Sequence, residues 1–528
     1  MTREAGVLLS VSSLPSREGI GTLGEGAYAF VDFLSKAGFR VWQVLPLTPT
    51  REGNSPYSSI CENALNPLFI DLFDLVGQGL LRESEIPAPK KGKVDYPTVI
   101  AQKQRLLRLA FSRFDQSDPD FVAFEKKGEY KEYALFSALT EAFDDKPFEE
   151  WREGYSLYDP ARIDAFLKER KDLYSYYVFT QFVFDREWKK LKTYANAHGV
   201  RILGDMPIYV AMNSAEVYFH PDLFLFDERR RPTDVAGVPP DYFNSEGQRW
   251  GNPLYDWDKM KKDGYRWWRE RIARELTRFD MLRIDHFRGL DRYYAIAVDA
   301  TDAKHGVWKQ GPGAALFEGM TGLPIVAEDL GFVDESLHEM MKKVGFPGMK
   351  VFAFGLDGNP WSEHKPANYA ENVVAYTGTH DNMPFRGVLE ELTGHGRAAA
   401  TQDVLVQATA LGAPIPPSLD LAKGIGAGDT PQDALQKKIL WLESLSDDKY
   451  LDLDPRDLTR LACATLLRSK ARLAVMPMQD ILALGAESRM NTPALVSEEN
   501  WAWRLDPADL TDALCVELKE ELLRSERA

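Results

Sequence analysis

Cysteine is scarce in this sequence: there are three in 528 residues, Cys61, Cys463 and Cys515, far apart and with no CxxC. That pattern excludes a disulfide framework and a thiolate metal site, and it predicts a reducing compartment. Long apolar runs are also missing. No stretch reaches the roughly 18–20 residues that a membrane-spanning helix needs. The opening Met1-Thr2-Arg3-Glu4-Ala5-Gly6 lacks the apolar core of a secretory signal. A cytoplasmic protein without membrane contact is therefore expected. Positive charge is in deficit, with 64 Lys and Arg against 80 Asp and Glu and a net charge of −16. A nucleic-acid binder would carry a basic stripe, and the densest basic block, Glu228-Arg229-Arg230-Arg231, is short. The eight histidines form no HExxH and no i, i+4 pair, so no metal is expected.

What is present is organised in short apolar runs. They are Gly6–Val11, Arg40–Pro46, Val200–Pro207, Met281–His286, Pro324–Asp329, Met349–Phe354, Val373–His380 and Arg472–Met478. Most are continuously apolar, as parallel strands covered by helices must be. Helical stretches lie between many of them, including 27–37, 264–279 and 335–344. Alternating strands and helices, eight times over, predict an α/β fold: a (β/α)₈ TIM barrel. The spacing predicts a single catalytic domain over 1–528, with large, mostly helical insertions at about 75–195, 210–275 and 385–470. Gly19-Ile20-Gly21-Thr22-Leu23-Gly24 is a literal GxGxxG before a helix. It stands too far from the end of the first run, and the second run closes in Leu45-Pro46-Leu47 with no acidic residue. A dinucleotide fingerprint needs both features, so these glycines serve a turn and helix entry.

Barrel sites lie at the C-terminal ends of the strands. The third run ends in Gly204-Asp205-Met206-Pro207, the fourth in Arg283-Ile284-Asp285-His286, the fifth in Ala327-Glu328-Asp329 and the seventh in Thr379-His380-Asp381-Asn382. Four strands thus bring carboxylates to one rim. Retaining glycosidic cleavage requires a nucleophilic carboxylate and a second carboxyl as acid/base, about 5–5.5 Å apart. Adjacent strands, about 4.8 Å apart, can supply that pair, and Asp285 and Glu328 lie on adjacent strands. Asp381, two strands further, can grip sugar hydroxyls. Arg283 shares a strand face with Asp285, where a cation would hold that carboxylate ionised. His286 and His380, each beside an acid on the rim, suit substrate binding. Tyr57 and Trp250 have the amphipathic rings that suit stacking in a half-wet groove.

Taken in order, SSLPSREGIGTLG, WQVLPLTPT, SPYSS, GDMPIYV, VAGVPPDYFNSEGQRWGNPLYDW, RIDHFRGL, AEDLG, GFPGMKV, YTGTHDN, PMQDILALG, RMNTP and NWAWR resemble the α-amylase clan. Within it, they most resemble the 4-α-glucanotransferases (amylomaltase, or disproportionating enzyme) of glycoside hydrolase family 77. The resemblance implies transfer of α-1,4-glucan segments by a retaining double displacement, with Asp285 as nucleophile, Glu328 as acid/base and Asp381 stabilising the distorted sugar. It implies that Arg283 and His380 orient the nucleophile and bind the sugar, that Asp205 supports the site, and that Asn491 of RMNTP contacts substrate. It also implies that Tyr57 stacks beside the cleaved bond, and that the loop with Tyr242 and Phe243, together with Trp250, covers the acceptor side. The implied partners are maltooligosaccharides, amylose or glycogen-derived glucans, with glucose as an acceptor and no cofactor. Two places depart from the family pattern: Met212-Asn213-Ser214 after GDMPIYV, and Met383-Pro384 after HDN. An α-glucan hydrolase with the same residues, or a non-catalytic glucan-binding protein, are the competing readings.

Overall fold

The eight apolar runs form eight parallel strands: β1 Glu4–Leu8, β2 Val41–Gln43, β3 Arg201–Met206, β4 Met281–Ile284, β5 Ile325–Ala327, β6 Gly348–Val351, β7 Val373–Tyr376 and β8 Leu473–Pro477. The computed structural model describes residues 3–51, 53–88, 91–152, 154–240 and 245–528. Each strand from β1 to β4 pairs with its successor in sequence, and so do β4 with β5 and β6 with β7. β7 pairs with β8 and β8 with β1. Between β5 and β6 the gap is bridged by the Ala327 N–H, which donates to the Pro347 carbonyl at 2.9 Å. The sheet is thus wrapped into the (β/α)₈ barrel, with helices such as Glu25–Ala37, Lys171–Ala197, Arg266–Arg278, Glu335–Val344 and Pro455–Arg468 between strands.

Strands covered on both faces must be apolar throughout, and every residue of β2, β4, β5, β7 and β8 is buried. Polar groups inside are admitted in satisfied pairs, as burial demands. The Tyr376 hydroxyl donates to Gln43 Oε1 at 2.8 Å. Gly204 in β3 gives way to a neighbour, because a Cβ there would fall 2.2 Å from the Phe279 ring. Gly21 plays the same part in the first loop, where a Cβ would meet the Val11 carbonyl oxygen at 1.8 Å. The GIGTLG stretch is accordingly a close-packed turn leading to Gly24, the N-cap of helix Glu25–Ala37.

Helices fill the long stretches between β2 and β3 and between β7 and β8. A four-stranded antiparallel sheet stands apart from them. Its strands, in spatial order, are Gln248–Pro253, Asp234–Val238, Arg292–Ala297 and Val307–Gln310. The first pair comes from a Pro/Gly-rich stretch without apolar periodicity, and the second from the connection between β4 and β5. These strands were not legible in the sequence: the sheet is two hairpins, 234–253 and 292–310, without clear alternation, joined only by the remote pairing of Asp234–Val238 with Arg292–Ala297. The edge strand Gln248–Pro253 contains both Gly and Pro, which strands tolerate only at edges or bulges. Ala236, Tyr293 and Ala295 of this sheet join the main core, while Val235, Tyr294 and Ile296 form a small second cluster. No helix among the described residues is long and apolar enough to cross a membrane.

Candidate active site

The apolar runs continue a few residues past the strands, and the acids sit in those extensions. β4 ends at Ile284, but the Asp285 N–H still donates to the Met206 carbonyl at 3.0 Å, so Asp285 stays at the mouth of the barrel. His286 then adopts φ +48°, a left-handed conformation unusual for a residue with a side chain. The neighbouring strand's acid accepts the hydrogen bond from this turn: the His286 N–H donates to Glu328 Oε2 at 2.7 Å. The Leu330 N–H donates to the other oxygen, Oε1, at 2.9 Å. The left-handed turn at His286 thereby helps fix the orientation of the Glu328 carboxylate.

Arg283 lies under the rim and holds two carboxylates. Its guanidinium donates to both oxygens of Asp205 at 2.7 Å and pairs with Asp285 at 2.8 Å. The Asp205 side chain is 0 % exposed and that of Asp285 is 28 % exposed. Asp205 is therefore enclosed by the protein, while Asp285 is partly open to solvent. Asp205 also accepts from the Tyr57 hydroxyl at 2.7 Å. Burial, reinforced by the Asp285 charge, raises the Asp205 carboxyl, and Arg283 works against that rise. Glu328 is pushed up to about 7, first by burial and then by the Asp285 charge, against the pull of Arg283 and its two backbone donors. Two neighbouring carboxyls in such different surroundings can divide acid and nucleophile roles between them.

His380 and Asp381 follow β7. The Tyr57 ring stacks on His380 with centroids 5.0 Å apart and planes 14° apart. Asp381 Oδ1 accepts from Asn491 Nδ2 at 2.6 Å, and its Oδ2 lies 3.4 Å from His380 Nε2. Trp250, 38 % exposed, meets the His286 ring edge-on at 4.8 Å. Burial lowers His286 to about 4, so its ring is neutral at pH 7. Its Nε2 is buried and has no hydrogen-bond partner among the described residues. The structure therefore brings Asp205, Arg283, Asp285, His286 and Glu328 into one cluster, with Tyr57, His380, Asp381 and Asn491 beside it. Tyr242 and Phe243 lie outside the described residues.

This arrangement can be set beside known proteins. A sequence model of glycoside hydrolase family 77, described as 4-alpha-glucanotransferase, matches residues 9–511. The chain belongs to that family. It is 39 % identical to the 4-alpha-glucanotransferase of Thermus thermophilus, covering 97 % of this chain and 96 % of that one. Identity to the Clostridium butyricum 4-alpha-glucanotransferase is 35 %, over 96 % and 97 % of the two chains. The amylomaltase from Streptococcus agalactiae, solved in complex with acarbose, superposes with a TM-score of 0.87 at 33 % identity over the full length of both chains. As a family 77 member, the protein is a 4-α-glucanotransferase acting on α-1,4-glucans, with the retaining chemistry of that family.

Two departures from the family 77 pattern now have structural settings. The Asn213 side-chain oxygen accepts from the Phe148 N–H at 3.2 Å and so ties the loop after β3 to the helical insertion. Pro384 caps the helix Phe385–Glu391, and Met383 packs closely over Gly387. Three further residues, to which the sequence pattern gave no role, touch the candidate site. The Trp501 ring lies 6.0 Å from Tyr57 and 5.9 Å from His380. Arg489 donates to the Asp381 carbonyl at 3.0 Å. The buried Asp480 accepts from Thr377 and from the Phe385 N–H, bracketing the loop that carries His380 and Asp381. All three lie in stretches that carried the family resemblance, but only folding shows what they touch.

Proposed function

We propose that Asp285 and Glu328 perform the transfer in two displacements. Asp285 forms a bond to the anomeric carbon of an α-1,4-glucan as the glycosidic C–O bond breaks. Glu328 gives its proton to the departing oxygen. The 4-hydroxyl of a second sugar then loses its proton to Glu328 and attacks the anomeric carbon, and Asp285 leaves. Asp381, gripped by Asn491, binds the distorted sugar together with His380, and Tyr57 and Trp250 stack against sugar faces. The donors would be maltooligosaccharides, amylose or glycogen-derived glucans, with glucose among the acceptors; amylomaltase bound to acarbose is a precedent for such ligands. The observation that supports this division of labour most directly is the contrast between Arg283-paired Asp285 and half-buried Glu328, whose carboxyl is pushed up to about 7.

The same reading takes residues 1–528 as one catalytic unit with insertions. In its support, the site draws on segments that follow β2, β3, β4, β5, β7 and β8. It also takes the protein as cytoplasmic, consistent with three cysteines that are unpaired thiols.

Incubation with maltotriose, followed by separation of products and counting of reducing ends, tests the reading. Glucose, maltose and longer sugars are expected at a constant number of reducing ends. A rising number would favour hydrolysis, and no products would leave only glucan binding.

The Glu328 environment carries a pH signature. An upward shift keeps the acid protonated to about pH 7. Above that the protonated fraction falls about tenfold per unit. kcat/KM for maltotriose is therefore expected to decline on the alkaline side from about pH 7, since that parameter reports groups of the free enzyme. A flat profile to pH 9 would argue against Glu328 as the acid.

A further inference from the structure

A pair of aromatic rings lies at the surface close to the acid/base and has no part in the reaction described above. Phe332 is 60 % exposed, a large apolar side chain turned to solvent. Its ring stacks with Trp308, centroids 6.3 Å apart and planes 29° apart. The pair is rigidly backed. The Arg288 guanidinium lies 4.7 Å from the Trp308 ring centre and 5.2 Å from that of Phe332. Arg288 is itself held by two hydrogen bonds to Asp334, at 3.1 and 3.0 Å. Asp334 also accepts from Arg292 and caps helix Glu335–Val344. Trp308 further meets Tyr294 edge-on at 5.3 Å. Rings fixed in this way lose little freedom when something flat settles on them.

Position argues for what settles there. Phe332 is four residues past Glu328, so it lies within about 14 Å of the acid even if the loop were fully extended. The Leu330 N–H between them is bonded to Glu328 Oε1. A glucan chain leaving the cleavage centre needs only a few more sugar units to reach the rings. A sugar face presents C–H groups to an aromatic face, and an exposed ring held in place by its neighbours suits it.

We propose that Phe332, backed by Trp308 and Arg288, is a stacking site for the distal part of a long α-1,4-glucan, engaged by chains that extend beyond the cleavage centre and not by short ones. The proposal rests on the assignment of Glu328 as acid/base. It is tested with Phe332→Ala, Phe332→Leu and Phe332→Tyr in the full-length protein, using maltotriose and maltoheptaose as separate sole substrates. Phe332→Ala is expected to raise KM for maltoheptaose about five- to tenfold, the scale of one aromatic contact. KM for maltotriose should stay within about twofold, with kcat unchanged on both. Phe332→Tyr should behave as wild type, and Phe332→Leu, apolar but not flat, should follow Phe332→Ala. Equal losses on both sugars, no loss on either, or a Leu variant as good as Tyr would overturn the stacking site. If instead wild type elongates maltotriose while Glu328→Gln keeps full activity, the assignment on which the proposal rests fails and the Phe332 result stands apart from it.

Discussion

Asp285→Ala is expected to abolish glucan transfer, lowering kcat by roughly 10⁵–10⁶-fold, the scale on which loss of a covalent nucleophile acts. Without that carboxylate no glycosyl-enzyme forms, and water or sugar must attack directly. The fold should survive, for a reason visible in the site. Arg283 is buried, and stranding a buried charge is strongly destabilising, but Arg283 keeps its two hydrogen bonds to Asp205 when Asp285 is removed. Asp285 itself is partly exposed and contributes little to the core. Thermal unfolding measured beside the activity assay separates the two effects. A variant that keeps more than a few per cent of activity would remove Asp285 from the nucleophile's role. A variant that loses activity only because it unfolds would leave a structural role as the explanation.

Glu328→Gln is expected to slow transfer from maltooligosaccharides by about 10²–10⁴-fold, the usual contribution of a general acid or base. The loss should depend on the leaving group. α-Maltosyl fluoride departs without a proton, so its reaction with Asp285 should remain fast and release a burst of fluoride as the glycosyl-enzyme accumulates. Gln is close in shape to Glu but has a single carboxamide oxygen. It can still accept from the His286 or the Leu330 N–H, which now both reach Glu328, so the local turn should hold. Fluoride release and maltotriose disproportionation measured on the same preparation decide the matter. If both fall by the same factor, Glu328 is not the acid. If the alkaline decline expected for wild type persists unchanged in the variant, another group controls it.

Much of the barrel could be read directly from the chain. Eight apolar runs each became a strand, because a parallel strand buried on both faces has no choice but to be apolar along its length. Parallel strands in a barrel all end at one rim, so the acids that close these runs were bound to meet there. Asp285 and Glu328 could be placed on neighbouring strands for the same reason, and Arg283 on the same face as Asp285 from the two-residue period of a strand. The strand ends were harder to read, since an apolar run does not record where its backbone leaves the ladder. The antiparallel sheet was not legible. Gln248–Pro253 alternates poorly, contains Gly and Pro, and is stabilised by a neighbour strand and not by its own pattern.

The roles of individual side chains divide along the same line. Sequence alone offered the candidates: local pattern gave the acids, the histidines beside them and the amphipathic aromatics, and the family resemblance gave the rest. Tertiary structure alone decided what each of them touches. It set Asp205 against Arg283 and Tyr57, which lie 78 and 148 positions away. It brought Asn491 across 110 positions to Asp381, and it set Trp308 against Phe332 from two different connections. The protonation of Glu328 belongs here as well. A carboxyl's preference for its proton depends on the water it has lost and the charges around it. Those are properties of packed neighbours from distant strands, and no local stretch of sequence contains them.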